Sequence, residues 1–262
     1  MKPGGPRAYL LDLDGTLYAG GSAIPGAAHA LEQLRRRAIP FRLVTNTTSR
    51  SRAGIVERLG SYGLRVLPDE VFTATLAGAE SARSRGCSRV APFVPPPALE
   101  DLTELNLVGG TSGRRDSRPP EAILVGDLAE RWSFALMQEA FEYLLAGAAF
   151  IALSRDRYWL RDDRLVLDAG AFVAGLEFAT GKAAKVAGKP SPAFYTAALA
   201  SLGLTPSQET VMVGDDLWSD VEGAQRAGLQ GWLVRTGKYR ESALRDSGIQ
   251  PDRILDSIAA LE

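Results

Sequence analysis

The chain has 262 residues, of which 45% are hydrophobic and 23% are charged, and its formal net charge is -1. This composition is ordinary for a globular protein and lacks the strong basic bias of a nucleic-acid-binding protein. No apolar run is long enough to cross a membrane, and the apolar run near the N-terminus is too short and too charged for a signal peptide. The single cysteine, Cys87, cannot form an internal disulfide. From the charge balance, the apolar runs and the cysteine count together, we expect a cytoplasmic protein with no nucleic-acid or membrane partner.

Short apolar runs alternate with amphipathic segments, a pattern that predicts an α/β fold with a parallel sheet. The first part of the chain predicts strands at 8–14 and 40–48, helices at 26–39 and 49–64, and a short strand with a helix within 70–86. The middle part predicts a surface loop between Gly113 and Pro120, a strand with a long helix within 122–147, and strands followed by a helix within 148–181. The last part predicts a helix at 191–204, a strand at 209–216, a helix at 217–229 and a final strand at 230–237.

Glycines give two further local predictions. The Gly20-Gly21 pair, which follows the first strand, predicts a hairpin turn. The stretch "GLEFATGKAA" at 175–184 has five residues between its glycines instead of the four of a phosphate-binding P-loop. It is interpreted as a helix and turn.

The residue counts limit the possible chemistry. The single histidine, His29, lies in a helical pattern and is expected to be a partly exposed helix residue. A Ser-His-Asp triad would have to use it, and one histidine with one cysteine cannot make a Cys/His zinc site. Catalysis would therefore depend on carboxylates, lysine, hydroxyl groups and a hard metal ion.

Polar residues stand at the ends of four predicted strands, one of which is a late strand that ends at "AGKP", 187–190. Ligands of an open parallel sheet bind outside the carboxyl ends of its strands. The residues at these ends are Asp12 and Asp14, Thr45 and Asn46, Lys189, and Asp215 with Asp216 and, one helical turn later, Asp220. Each alone is typical of a helix cap, a turn or a solvated lysine. Together, however, several carboxylates need a cation, and carboxylate oxygens favour a hard ion such as Mg²⁺, which often also binds phosphate.

In this order the residues resemble the four motifs of the haloacid dehalogenase superfamily of phosphotransferases. The motifs are "DLDGT", "VTN", "GKP" and "GDDLWSD". The long insert between the second and third motifs resembles that of the NagD-like, class IIA branch. The likeness is strongest to the group of phospholysine phosphohistidine inorganic pyrophosphate phosphatases and their hydrolase-domain-containing relatives.

The resemblance implies a Rossmann-like parallel-sheet core with an inserted α/β cap of the C2 type. The implied core domain is discontinuous and covers 1–78 and 187–262, and the implied cap covers 79–186. The implied activity is Mg²⁺-dependent hydrolysis of a small phosphorylated metabolite through an aspartyl phosphate. This branch often dimerises through its caps, so a homodimer is a further expectation.

The resemblance also implies roles for individual residues. Asp12 would be the nucleophile and Asp14 the general acid and base. The Asp12 carboxylate, the Asp14 backbone carbonyl and Asp215 would hold Mg²⁺, and the sequence leaves open whether Asp216 or Asp220 supports them. The other implied role is phosphate binding, which falls to Thr45, the Asn46 backbone and Lys189.

Two other functions fit the same residues in part. A receiver-like phospho-acceptor also gathers aspartates, a hydroxyl residue and a lysine around Mg²⁺, but receivers are far shorter and lack a cap-sized insert. A non-catalytic binding protein on the same scaffold is disfavoured because every catalytic motif position is filled. The lifetime of the phosphorylated form separates a phosphatase from a receiver.

Overall fold

The computed structural model describes residues 5–161 and 164–261. Contacts between Cα atoms divide the described chain into two compact units. The first unit comprises 5–45, 52–72 and 189–261, and the second comprises 46–51, 73–161 and 164–188. The bounds implied for the core domain, 1–78 with 187–262, and for the cap domain, 79–186, remain a prediction.

The elements of the described residues are numbered in chain order. The strands are β1 (Ala8–Asp12), β2 (Tyr18–Ala19), β3 (Ser22–Ala23), β4 (Phe41–Thr45), β5 (Val71–Thr73), β6 (Arg89–Phe93), β7 (Asn106–Leu107), β8 (Ala122–Val125), β9 (Ala149–Ala152), β10 (Tyr158–Arg161), β11 (Arg164–Leu167), β12 (Lys185–Val186), β13 (Thr210–Gly214), β14 (Gln230–Val234) and β15 (Arg253–Leu255). The α-helices are α1 (Ala27–Arg36), α2 (Arg52–Ser61), α3 (Ala74–Arg83), α4 (Phe134–Leu145), α5 (Ala169–Thr180), α6 (Pro192–Ala200), α7 (Gly223–Arg226) and α8 (Glu241–Ser247).

A six-stranded sheet organises the first unit, in the order β15-β14-β13-β1-β4-β5. β1 lies near its centre and pairs in parallel with both β4 and β13, and β13, β14 and β15 are also parallel. The predicted α/β class with a parallel, Rossmann-like sheet is confirmed.

Burial on both faces explains why the first strand reads as a continuous apolar run. Tyr9 and Leu11 lie in a buried cluster with residues of α1 and α2, and Leu10, which alternates with them, is also 0% exposed. In α1, buried residues recur at helical spacing from Ala27 to Leu34. The strand therefore places its last residue, Asp12, at the end of a rigid, fully packed element.

The second unit has its own parallel sheet, in the order β12-β9-β8-β6-β7. Its core joins the apolar side chains of β6, β8 and β9 to those of α4 and α5, including Phe93, Leu144 and Leu176. β10 and β11 form a separate antiparallel hairpin in this unit. The interpretation of 175–184 as a helix and turn is confirmed, because α5 ends at Gly181 in the left-handed conformation.

Several local predictions are confirmed. Gly20 and Gly21 have positive φ angles of 56 and 83° and join β2 to β3 as a hairpin. Residues 113–119 are exposed, and His29 is an exposed residue of α1. Among the residues that the structure describes, none of the helices is both long and apolar enough to span a membrane.

Two predictions near the C-terminus are corrected. The strand predicted at 230–237 is not the last one, because β15 follows and pairs in parallel with β14. β15 is only three residues long and exposes two of them, so it lacks the apolar run that identified the other strands. The helix predicted at 217–229 begins as a π-helix, Leu217–Glu222, and becomes α-helical only in α7.

Candidate active site

The carboxyl ends of neighbouring strands carry three buried polar side chains of the first unit. Asp12 is the last residue of β1, Thr45 is the last residue of β4, and Asp215 follows β13 directly. Their exposed fractions are 8%, 7% and 3%. Because β1 lies between β4 and β13 in parallel register, all three residues stand at the same edge of the sheet.

A buried lysine joins two of the carboxylates. The Lys189 Nζ donates to Asp12 Oδ1 at 2.5 Å and to Asp220 Oδ1 at 2.7 Å, and Lys189 is only 4% exposed. Burial acts to lower the pKa of the Lys189 ammonium, but the charges of Asp12 and Asp220 raise it well above its ordinary value. The lysine therefore stays charged in this site.

Asp12, Asp215 and Asp220 form a cluster that could hold a metal ion. One carboxylate oxygen from each lies within 4.8 Å of the others, and all three residues are buried. Burial is the largest cause that raises the pKa of these carboxyl groups, to about 6 for Asp12, about 6 for Asp215 and about 7 for Asp220. The neighbouring negative charges raise them further, while Lys189 opposes the rise. Three oxygen donors that repel one another are the chemistry that a hard divalent cation satisfies.

Asp216 and Asp220 have different surroundings. Asp216 Oδ1 accepts the backbone N–H groups of Trp218 and Ser219, both at 3.0 Å, so it caps the helix that begins there. Its Oδ2 accepts from Lys238 Nζ at 3.0 Å. Burial acts to raise the pKa of the Asp216 carboxyl, but Lys238 and these N–H groups lower it below its ordinary value. Of the two residues that the sequence left open, Asp220 is the one that joins the cluster.

Asp14 lies two residues beyond Asp12 and outside the cluster of three carboxylates. It is exposed, and its backbone forms an isolated β-bridge with Tyr18, the first residue of β2. The surrounding protein raises the pKa of its carboxyl, and the charges of Arg58 and Lys238 partly offset that rise. A carboxyl group with a raised pKa next to the strand end is suited to carrying a proton.

Family models and similar proteins agree on the family to which this chain belongs. The haloacid dehalogenase-like hydrolase model matches residues 9–108, and a HAD-hydrolase-like model matches 186–261. Haloacid dehalogenase-like hydrolase domain-containing protein 2 of Bos taurus is 40% identical over 89% of this chain and 86% of its own length. The chain belongs to the haloacid dehalogenase superfamily. Phospholysine phosphohistidine inorganic pyrophosphate phosphatase of Homo sapiens is 34% identical over 97% of this chain and 92% of its own.

Solved structures place this haloacid dehalogenase-like protein in the NagD-like, class IIA branch. NagD from E. coli K-12 has a TM-score of 0.87 with 26% identity, and covers 98% of this chain and 99% of its own. The p-nitrophenyl phosphatase from Archaeoglobus fulgidus has a TM-score of 0.86 with 29% identity, and covers 98% of both chains. Because these relatives and solved structures include phosphatases, the chain is a phosphatase of the haloacid dehalogenase superfamily.

One predicted site residue of this phosphatase groups with the second unit. Asn46 follows Thr45 directly in the chain, and its Nδ2 donates to Asp156 Oδ2 at 3.4 Å within that unit. Thr48 lies nearby in the same segment, and its Oγ1 accepts the Asp127 backbone N–H at 2.9 Å. The role of the Asn46 backbone in phosphate binding stays a prediction.

Sequence reasoning assigned no site role to the loop after β14. Lys238, in the "RTGK" that follows this strand, donates its backbone N–H to Asp215 Oδ2 at 2.6 Å. Burial acts to lower the pKa of the Lys238 ammonium, but the charge of Asp216 raises it above its ordinary value. The available sequence signal for this loop is the glycine between Thr236 and Lys238, just after a predicted strand. Nothing in the neighbouring residues shows that the loop contacts the end of β13.

Proposed function

We propose that this phosphatase hydrolyses a small phosphorylated metabolite with Mg²⁺, through an aspartyl phosphate on Asp12. The observation that carries the proposal is the position of the Asp12 carboxylate. It is buried at the end of β1, held at 2.5 Å by Lys189, and clustered with Asp215 and Asp220.

The chemistry proceeds in two displacements at phosphorus. In the first, an Asp12 carboxylate oxygen bonds to phosphorus, the bond to the leaving oxygen breaks, and the Asp14 carboxyl gives that oxygen its proton. In the second, the Asp14 carboxylate takes a proton from water, the water oxygen bonds to phosphorus, and the bond to Asp12 breaks. Inorganic phosphate leaves, and both aspartates return to their starting protonation states.

The residues present fit a hard divalent cation. Asp12, Asp215 and Asp220 offer three carboxylate oxygens and no nitrogen or sulfur donor, and the Asp14 backbone carbonyl is the further ligand implied by the family resemblance. When bound, the ion would neutralise negative charge on the transferring phosphoryl group. Mg²⁺ is favoured over other ions because it commonly binds through a few carboxylates and a phosphate. The similar glycerol phosphate phosphatase of Mycobacterium tuberculosis has been solved in complex with magnesium and with calcium.

Thr45, the Asn46 backbone and Lys189 would bind the phosphoryl oxygens. Lys189 supplies a charged donor beside the nucleophile, and Thr45 supplies a buried hydroxyl at the neighbouring strand end. Groups of this kind act by holding fixed charge where the transition state needs it, and the loss of one commonly costs on the order of a hundredfold in rate.

The test is phosphate release from a panel of phosphorylated compounds. The panel holds nucleoside monophosphates, glycerol phosphate, phosphoglycolate, pyridoxal phosphate, pyrophosphate and p-nitrophenyl phosphate, each with Mg²⁺, Ca²⁺ or chelator. Asp12→Asn is expected to abolish release, whereas Asp69→Asn, which makes the same change at a 96% exposed carboxylate, is expected to leave it unchanged. Full activity of Asp12→Asn would refute the covalent mechanism, and a phosphorylated protein that persists would favour a receiver instead.

A second experiment isolates the acid role of Asp14. Asp14→Asn is expected to lower kcat/KM far more for glycerol phosphate than for p-nitrophenyl phosphate, because nitrophenolate leaves without a proton. Equal losses for the two substrates would contradict the assignment of Asp14 as the general acid.

Homodimer formation through the second unit is part of the proposal. α4 and α5 pack together, and each carries one exposed phenylalanine. Phe134 of α4 is 84% exposed, and Phe178 of α5 is 93% exposed. Sedimentation should show a dimer that Phe178→Asp disrupts and that Leu67→Asp, at an exposed leucine of the first unit, does not. A monomer at all concentrations would refute this part. The cytoplasmic location and the absence of nucleic-acid and membrane partners stay predictions.

A further inference from the structure

The loop after β14 touches both sides of the candidate metal site. Thr236 Oγ1 donates to the Gly15 carbonyl oxygen at 2.5 Å, although 221 residues separate the two in the chain. Two residues later, the Lys238 backbone N–H donates to Asp215 Oδ2 at 2.6 Å. The same loop therefore binds the turn that follows Asp12 and Asp14 and the carboxylate that follows β13. Residues Thr236 to Lys238 are called the Asp215 clamp below.

The clamp leaves no space for a side chain at its centre. Gly237 has a φ of +59°, and a Cβ added to it would strike the Asp215 carboxylate and the Gly15 Cα. Gly15 has a φ of +81°, and a Cβ added there would strike the same carboxylate and come within 3.0 Å of the Gly237 Cα. Both positions thus require glycine for conformation and for space. The two backbones pack directly against the Asp215 carboxylate.

This packing restricts a carboxylate that would otherwise rotate. Asp215 is 3% exposed, its Oδ2 is bonded to a backbone donor, and glycine backbone lies on two sides of it. Fixed hydrogen bonds from surrounding groups orient the side chains that bind a metal, and their loss typically costs 10–100-fold in metal affinity. The Thr236 hydroxyl bonds the Gly15 carbonyl oxygen, so it would act on Asp215 through the backbone that it holds.

We propose that Thr236 and Gly237 are positioning residues for the divalent cation, holding Asp215 and the Gly15 turn in the arrangement that binds it. This inference rests on the proposed metal site at Asp12, Asp215 and Asp220. A purely structural role for the Thr236 hydrogen bond would lower the stability of the fold and leave metal affinity unchanged.

The experiment measures cation binding directly, without substrate. Mn²⁺ binding by electron paramagnetic resonance and Mg²⁺ binding by calorimetry are compared for the protein and its variants. Thr236→Val keeps the size of the side chain and removes the donor, and it is expected to weaken binding about tenfold or more. Thr236→Ser keeps the hydroxyl and is expected to stay within about threefold of the wild type. Gly237→Ala is expected to weaken binding as well, and it asks the same question if Thr236→Val does not fold.

Two further variants separate the possible failures. Val234→Ala shortens a fully buried side chain of β14 two residues before the clamp, so it should lower stability without changing cation affinity. Asp215→Asn should remove most cation binding. Normal binding by Thr236→Val and Gly237→Ala, or an equal loss in Val234→Ala, would overturn the role of the clamp. Normal binding by Asp215→Asn would instead overturn the proposed metal site.

Discussion

Replacing Lys189 by methionine tests the electrostatic organisation of the site. The substitution keeps the length of the side chain and removes its charge. It leaves Asp12 and Asp220 buried without the ammonium that now bonds them at 2.5 and 2.7 Å. Breaking a buried ion pair by removing one partner costs about 3–5 kcal/mol, because the remaining charge is desolvated without compensation.

The expected loss depends on pH. The pKa of the Asp12 carboxyl is raised by burial to about 6 and that of Asp220 to about 7, and Lys189 opposes both shifts. Lys189 therefore stabilises the folded state above these pKa values, where the carboxylates are charged, and this contribution is lost as the pH falls through them. We expect a loss of about 3–5 kcal/mol at pH 8 and of about 1 kcal/mol or less at pH 5.

The assay is urea unfolding in the presence of chelator, so that no cation replaces the lysine. With an m value of about 2–3 kcal/mol/M, the pH 8 midpoint should fall by about 1–2.5 M. Lys185→Met makes the same change at an exposed lysine and should shift the free energy of unfolding by less than about 0.5 kcal/mol. An unchanged midpoint at pH 8, or equal losses at pH 5 and pH 8, would refute the reasoning. With Mg²⁺ saturating, kcat of Lys189→Met should fall about a hundredfold or more.

Three further predictions concern other groups. Asp220→Asn should weaken Mn²⁺ binding more than Asp216→Asn, because only Asp220 lies in the metal cluster; equal losses in a binding titration would contradict this. Arg58→Met should lower the free energy of unfolding by about 1–2 kcal/mol, since the Arg58 guanidinium lies 5.1 Å from the Tyr18 ring and also bonds a second tyrosine; unchanged urea unfolding would exclude such a contribution. Asp168→Asn should raise stability by about 1–2 kcal/mol at pH 8 and not at pH 4, because burial raises the pKa of this helix-capping carboxyl to about 6 and asparagine caps equally well. Thermal unfolding at the two pH values checks it, and a loss at pH 8 would count against it.

Local sequence signals predicted most of the elements that build the site. β1 was predicted as a buried strand because it is apolar on both faces, and the structure buries it completely. The hairpin at Gly20 and Gly21 was predicted because that turn needs positive φ angles, which glycine adopts without strain. β15 was missed because its three residues are mostly exposed and carry no burial pattern.

The contacts within the site could not be predicted in the same way. Asp216 and Asp220 lie in one acidic stretch, and the sequence alone could not choose between them. The π-helix that begins at Leu217 uses Asp216 as its cap and directs Asp220 to Lys189. The clamp at Thr236 was also missed, because its partner belongs to the first strand–turn of the chain.

By itself the sequence determined the α/β class and the family, and it predicted Asp12, Thr45 and Asp215 at strand ends. These depend on local burial patterns and on the order of short motifs, which are properties of neighbouring residues. The strand end predicted for Lys189 is corrected, because this residue lies in a turn three residues after β12, a two-residue strand of the other sheet.

Only the tertiary structure decided that Lys189 bonds both Asp12 and Asp220, and that the loop at Gly237 packs against Asp215. The physical reason is that Lys189 and Asp12 are 177 residues apart in the chain and Lys189 lies in a turn, so no local pattern sets the distance between them.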